Sequence, residues 1–238
     1  MKQKIRYTII NVISYLFLIV LSFTTNGAKA FTIPSAEPLI TPAPYTFLIW
    51  LLIYGLWGIW IIWFGFRQTK ADDAYQRVSR FLPISFICSG LSLIVGQPIA
   101  GLFIVGALIT ASFVYLSSQH AKGEQVPFFR LPISVYLGWL SIATIVEISI
   151  LLKANGFSEL FGLPETFWTI FVLMMGGFFA VVFTESQLDL VYPLVFIWAY
   201  VGIAIKNLDH ITIFVTCCFA ILLIGWMMDQ VKRMLAKS

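Results

Sequence analysis

An aromatic stripe runs along the apolar segment 41–63, which holds four of the chain's eight tryptophans. Its members follow one another at steps of three, four and three residues: Phe47, Trp50, Tyr54 and Trp57. This spacing places four rings on one face of an α-helix. Such rings stack on planar partners with about 0.5–1.5 kcal/mol beyond the area that they bury. Two interpretations stay open: an aromatic seam packed against neighbouring helices, or one wall of a cavity for a flat apolar ligand.

A second segment, 131–149, has a proline followed by aromatic residues, and it adds a carboxylate. Tyr136 and Trp139 lie near the start of its predicted helix, and Glu147 lies about 7 Å from the far end of the span. A charged group at that depth is costly, so by default it indicates a function. Two interpretations stay open for Glu147. It is either a protonated or hydrogen-bonded structural residue, or a polar anchor for a ligand, with Lys206 as its candidate partner.

Composition indicates the solvent that surrounds these segments. Of the 238 residues, 60% are hydrophobic and 11% are charged, whereas soluble proteins carry about 25% charged residues. A soluble fold cannot hide so much apolar surface, but lipid can surround it. We therefore expect an all-α, polytopic transmembrane helix bundle, with residues 1–238 forming a single domain and no soluble domain.

Uncharged runs approaching the 20 residues of a spanning helix predict about eight spans. They are Tyr7–Phe23, Tyr45–Phe66, Phe81–Val95, Ile99–Leu116, Val135–Leu152, Thr166–Phe183, Tyr192–Ile205 and Ile211–Met228. The third and seventh are short and fit only with little tilt or a thin local bilayer. Seven spans would remain if the first were a signal peptide cleaved at the Ala-Lys-Ala pattern of residues 28–30. Retention is favoured, because the apolar run of about seventeen residues exceeds the usual 7–15 of signal peptides.

The charges of the loops predict the orientation. With the amino terminus in the cytoplasm, twelve Lys and Arg residues fall in cytoplasmic segments, and only Lys29, Lys153 and Lys206 fall outside. This bias follows the positive-inside rule, so we expect a multi-pass protein of the cell membrane with both termini cytoplasmic. The same topology explains the net charge of +4. Nucleic acid is not an expected partner, because no basic run with interleaved aromatic residues is present.

The remaining polar residues predict neither an enzyme nor a metal site. His120 and His210 lie in loops on opposite sides, and the three cysteines fall in apolar runs without metal-ligand spacing. No Ser/His/Asp, Cys/His or paired-carboxylate set can be assembled at one membrane depth. We expect no catalytic residue, no metal and no cofactor, a porphyrin- or haem-type ligand aside. The expected partners are the lipid bilayer and a hydrophobic small molecule, and a homo-oligomer stays open.

The stretch TPAPYTFLIWLLIYGLWG, residues 41–58, resembles the first-helix signature of the tryptophan-rich sensory proteins, the TspO/translocator-protein group. The matching positions are Pro44, Tyr45, Phe47, Trp50 and Tyr54. Residues 131–144 and 192–207 are similar to segments of longer bacterial relatives. The resemblance implies a receptor or transporter-like membrane protein that binds porphyrins, haem-related tetrapyrroles or sterols in an aromatic-lined cavity. Known members have five helices, fewer than the spans predicted here. They also carry a WxPD loop motif, and this chain has no such motif.

Three functions stay open from the sequence. The first is binding, sensing or transport of a flat hydrophobic ligand. Its candidate site residues are Phe47, Trp50, Tyr54, Trp57, Tyr136 and Trp139 as walls, and Glu147 as the polar contact. The second is proton-coupled transport of a small solute with Glu147 as the protonatable group, although no inverted repeat accompanies it. The third is a membrane subunit without a ligand, in which the tryptophans only pack.

Overall fold

The computed structural model describes residues 2–25, 37–122, 126–156 and 162–237. Helices dominate these ranges, and no strand occurs in them. The helices are α1 (Lys2–Thr24), α2 (Ile49–Phe66, after a 3₁₀ turn at Pro44–Leu48), α3 (Asp72–Val78), α4 (Leu82–Leu91), α5 (Ile99–Ser118), α6 (Val126–Ala154), α7 (Glu165–Gln187), α8 (Tyr192–Lys206) and α9 (Ile211–Leu235). The prediction of an all-helical protein is confirmed.

Six helices of the described residues are long and apolar enough to cross a membrane, rather than the eight predicted. They are α1, α2 with its 3₁₀ turn, α5, α6, α7 and α9. The predicted third span is instead the 10-residue helix α4, which is about 15 Å long, half of a hydrocarbon core of about 30 Å. The predicted seventh span is the 15-residue helix α8, about 22 Å long.

The chain divides into two compact units. The first comprises α1 to α5 and α6 up to Thr144. The second comprises residues 37–47, α6 from Ile145 onwards, and α7 to α9. The single domain expected for residues 1–238 stays a prediction.

In the first unit, α1 turns polar residues inward and apolar residues outward. Lys4, Thr8, Asn11 and Ser14 are buried, whereas isoleucines such as Ile9 and Ile13 are exposed. This is the arrangement expected of a helix in lipid, where exposed apolar side chains cost nothing and polar groups need partners inside the protein. The Ala-Lys-Ala pattern at residues 28–30 lies outside the described residues.

The polar face of α1 is bonded to α3 and to the residue that follows it. Asn11 Nδ2 donates to Ser79 Oγ at 2.8 Å, and the Thr8 and Tyr75 hydroxyls lie 3.0 Å apart. Lys4 forms a salt bridge of 2.7 Å with Asp72 and also donates to the backbone carbonyl of residue 67. Helix α1 is therefore part of the packed first unit, and its polar side chains supply specific contacts that a spacer helix would lack.

In the second unit, residues 37–47 form a strap across the ends of three helices. The Glu37 carboxylate pairs with Lys206 at the end of α8, and the Glu37 carbonyl accepts from Lys153 at the end of α6 at 2.9 Å. Lys153 also pairs with Glu165 at the start of α7 at 2.9 Å. Because α7 starts where α8 ends, α8 returns antiparallel along α7. Lys153 and Lys206 thus share one end of this unit, as the predicted topology requires.

Candidate ligand site in an aromatic cluster

The structure places five of the seven predicted site residues in the first unit. Trp50, Tyr54 and Trp57 lie on α2, while Tyr136 and Trp139 lie on α6. The other two residues belong to the second unit. Phe47 precedes the start of α2 at Ile49, within the 3₁₀ turn, so the α-helical stripe begins at Trp50 and not at Phe47 as the spacing predicted.

The stripe of α2 faces the interior of the first unit. Trp57 and Trp60 are 0% exposed, whereas Ile59 and Ile62 on the opposite side are more than half exposed. Helix α2 therefore presents rings to its neighbours and aliphatic side chains outward. Trp63 lies off the stripe, and the Arg67 guanidinium lies 3.9 Å from the centre of its ring.

The rings form one contiguous cluster. Trp50 stacks on Tyr54 at 5.4 Å and 28°, and it meets Trp139 edge-to-face at 6.4 Å and 85°. Trp57 meets Tyr136 at 5.9 Å and 90°. These separations and angles are the favourable offset-stacked and T-shaped arrangements of aromatic pairs. The cluster, defined as Trp50, Tyr54, Trp57, Tyr136 and Trp139, is thus an ordered packing of rings.

Exposure changes along the cluster. Trp57, Tyr136 and Trp139 are at most 1% exposed, Tyr54 is 9% exposed, and Trp50 is half-buried. A molecule approaching the cluster therefore meets Trp50 and Tyr54 first. Contact with Trp57 would require neighbouring rings to move apart.

Helix α4 supplies residues of this cluster that the sequence did not bring into the site. Phe86 meets Trp57 at 5.2 Å and 87°. The Tyr136 hydroxyl lies 2.7 Å from the Ser89 hydroxyl and accepts a hydrogen bond from Ser85 at 3.2 Å. The signal in the sequence is the four-residue step between the two serines, which places both on one face of a helix.

Two other polar groups of the cluster differ in how they are satisfied. The Tyr54 hydroxyl donates to Ser22 at 2.6 Å, and Tyr54 accepts at its backbone carbonyl from Tyr15 at 2.7 Å, so α1 holds this edge of the cluster. The indole N–H of Trp57 is buried and meets no acceptor among the described residues. Since buried donors are normally satisfied, this N–H is an unused donor, which an oxygen atom would reach if the neighbouring rings moved apart.

Glu147 lies in the second unit, eleven residues beyond Tyr136 on the long helix α6. It is 7% exposed, and the same part of α6 buries Val146 and Ile150. Glu147 is therefore buried within a helix of spanning length. Lys206, the partner considered for it, forms an ion pair with Glu37.

The described residues contain no group of three or more His, Cys, Asp or Glu side chains placed to hold a metal ion. Cys88, Cys217 and Cys218 are free thiols. What the arrangement offers chemically is stacking on aromatic rings, burial of apolar surface and one indole donor.

A comparison with known protein families gives a match that covers most of the chain. A family model described as TSPO-like protein matches residues 8–228. No curated protein and no solved structure matches. The family match confirms the resemblance that residues 41–58 carry. Together with its apolar helices of spanning length, the match means that this chain is a multi-pass membrane protein and belongs to the TSPO-like protein family.

Proposed function

We propose that the aromatic cluster binds a flat hydrophobic ligand, such as a tetrapyrrole, and that the protein receives or carries this ligand in the membrane without transforming it. The observation that carries the proposal is the stacked pair Trp50–Tyr54, which lies at the accessible edge of a cluster otherwise closed by rings. A planar molecule can extend this stack with little loss of conformational entropy, because the rings are already held by α1 and α6.

The unsatisfied N–H of Trp57 supports a ligand that also carries oxygen atoms. A tetrapyrrole combines a flat apolar ring system with carboxylate groups, which are strong hydrogen-bond acceptors. A purely hydrocarbon ligand would leave this donor without a partner. The resemblance to tryptophan-rich sensory proteins points to the same class of ligand. Phe47 and Glu147 stay candidate contacts of this ligand on sequence grounds.

The test is a titration of purified protein with protoporphyrin, followed through the absorbance band of the porphyrin and not through tryptophan fluorescence. We expect the double variant Trp50→Leu/Tyr54→Leu to bind about tenfold more weakly, because two stacked rings contribute about 0.5–1.5 kcal/mol each and about 1.4 kcal/mol corresponds to tenfold. Trp226→Leu is the matched control, since Trp226 is exposed on α9 in the other unit. A folded double variant with unchanged affinity would remove the pair from the site. Absence of saturable binding by the unaltered protein would favour the packing-only subunit.

A second candidate function is proton-coupled transport of a small solute, which the burial of Glu147 in a predicted span favours. Its test is transport into proteoliposomes with and without a pH gradient. We expect Glu147→Gln to abolish the dependence on the gradient if this function holds. Uptake of the solute that ignores both the gradient and the substitution would refute it.

We also propose that the protein lies in the cell membrane with both termini in the cytoplasm. The positive-inside bias of the loops supports this orientation. Cysteine labelling from either side of intact cells tests it, with single cysteines introduced near Lys237 and near Lys153. Labelling of the residue near Lys237 by an impermeant reagent outside the cell would reverse the orientation.

A further inference from the structure

A groove of about 250 Å³ opens at one end of the first unit, where α3 packs against α5. Its walls combine basic, polar and aromatic side chains. They are Arg77, Arg80, Phe81, Phe113, Leu116, Ser117 and His120. The ligand proposed above involves none of these residues, so the groove lacks an assigned role. We propose that it binds the headgroup phosphate of an anionic membrane phospholipid.

The charge of the groove comes from two arginines with different surroundings. Arg77 donates through Nε to Asp73 at 2.8 Å, and both side chains are exposed. Arg80 is exposed, and its guanidinium makes no hydrogen bond or ion pair within the described ranges. The other nearby carboxylate, Asp72, is engaged by Lys4. The guanidinium of Arg80 therefore keeps its donors for an external anion, and guanidinium is the group that matches phosphate geometry.

The polar part of the groove is completed by two further hydrogen-bonding groups. The Ser117 side chain is half-buried at the end of α5, and His120 lies exposed two residues beyond that helix. A hydroxyl and an imidazole beside a guanidinium suit a phosphate diester together with the polyol or water around it. Basic pockets between helices at the membrane surface bind anionic headgroups in this manner.

An apolar surface continues from the groove along α5. Phe81 and Phe113 stack at 5.2 Å and 27°, and they form the wall nearest to the helix. Phe113 also belongs to an exposed apolar strip along α5, which consists of Leu102, Ile109, Phe113 and Leu116. With 100° per residue, these positions fall within about 60° of one another and extend over about 21 Å. A free phosphate would make no contact with this apolar strip, whereas the acyl chain of a phospholipid would pack along it. The combination favours a lipid.

The experiment is native mass spectrometry of the detergent-purified full chain titrated with phosphatidylglycerol or with phosphatidylcholine of the same acyl chains. We expect Arg80→Gln to weaken the binding of the first phosphatidylglycerol about tenfold and to leave phosphatidylcholine unchanged. Arg80→Lys keeps the charge but loses the guanidinium geometry, so its affinity should fall between those of the original chain and Arg80→Gln. Lys70→Gln is the matched control, because Lys70 is an exposed cation in the same unit outside the groove.

Three results would overturn the proposal. One is a loss with Lys70→Gln as large as that with Arg80→Gln, which would mean general attraction to basic charge. Another is equal binding of the two lipids by the unaltered protein. The third is complete displacement of phosphatidylglycerol by inorganic phosphate, which would mean an anion site without use of the acyl strip. A thermal unfolding transition measured for each variant verifies that it is folded, so that loss of lipid binding is not caused by unfolding.

Discussion

The close contact between the strap and α8 allows a sharp prediction at Gly202. A Cβ atom at this position would lie 3.1 Å from Thr46 Cβ and 3.2 Å from Pro42 Cβ. It would also lie closer than 3.0 Å to Thr46 Oγ1, a separation that real Cβ atoms essentially never show. The surroundings cannot yield easily, because the Ala43 N–H donates to the Gly202 carbonyl at 3.1 Å and Trp198 Nε1 donates to the Thr46 carbonyl at 2.8 Å.

The expected magnitude of Gly202→Ala is a balance of two terms. Overpacking of a tight interior costs about 1–3 kcal/mol, while alanine gains up to about 1 kcal/mol over glycine in a helix. Because the clash involves a strap fixed by hydrogen bonds on both sides, we expect a net destabilisation of about 2 kcal/mol. For a chain of this size, that lowers the midpoint of thermal unfolding by about 4–8 °C.

The assay is thermal unfolding in detergent followed by tryptophan fluorescence, with a control and a rescue. Gly225→Ala is the matched control in the same unit, since a Cβ at Gly225 meets no atom within 4 Å; the midpoint should stay constant or rise. Thr46→Ala should rescue Gly202→Ala, because it removes the clashing oxygen, which has no hydrogen-bond partner among the described residues. The reasoning fails if Gly202→Ala unfolds no earlier than the original chain, or if the double variant regains nothing.

Three further predictions concern the first unit. Burial acts to raise the pKa of Asp72, but hydrogen bonds from Lys4 and the residue-69 backbone outweigh it and hold this pKa below its ordinary value. Asp72 therefore stabilises the fold above about pH 4 and loses this contribution as the pH falls further; Asp72→Asn should remove that dependence and cost about 1 kcal/mol at pH 7. Tyr136→Phe should cost about 1–2 kcal/mol through its lost bond to Ser89, with porphyrin affinity unchanged. Asn11→Leu should cost about 1 kcal/mol.

Each of these has its own measurement and its own refutation. The unfolding midpoint of Asp72→Asn should vary less with pH between pH 3 and 7 than that of the original chain. The same pH dependence in both proteins would contradict the ion-pair argument. For Tyr136→Phe, equal loss of stability and of porphyrin affinity would mean that the hydroxyl contacts the ligand. For Asn11→Leu, a midpoint above that of the original chain would mean that the buried apolar side chain stabilises the unit more than the hydrogen bonds of Asn11 do.

The sequence predicted the helical class well because apolar runs of spanning length leave few alternatives in lipid. It overestimated the third span, since Phe81–Val95 lacks charge but its helix ends at Leu91, short of a crossing. The sequence also placed the start of the long helix too far along the chain. The predicted span began at Val135, whereas α6 begins at Val126 and continues through Pro132, which removes only one intrahelical hydrogen bond.

The candidate site was predictable in part, because helical spacing determines which side chains share a face. Trp50, Tyr54 and Trp57 do lie on one face of α2, and residues 131–144 supply Tyr136 and Trp139 as their neighbours. The contribution of α4 was not predictable, since nothing in Ser85 or Phe86 indicates which helix they will meet. Contacts between helices distant in sequence depend on three-dimensional packing, which a periodicity along one segment does not contain.

The inward polar face of α1 also constrains how the protein is made. Asn11 emerges from the ribosome long before Tyr75 and Ser79, the side chains that satisfy it. More than sixty further residues must be synthesised before both of these partners exist. Helix α1 thus completes its bonding only after α3 is in place, so the order of synthesis and the order of assembly differ.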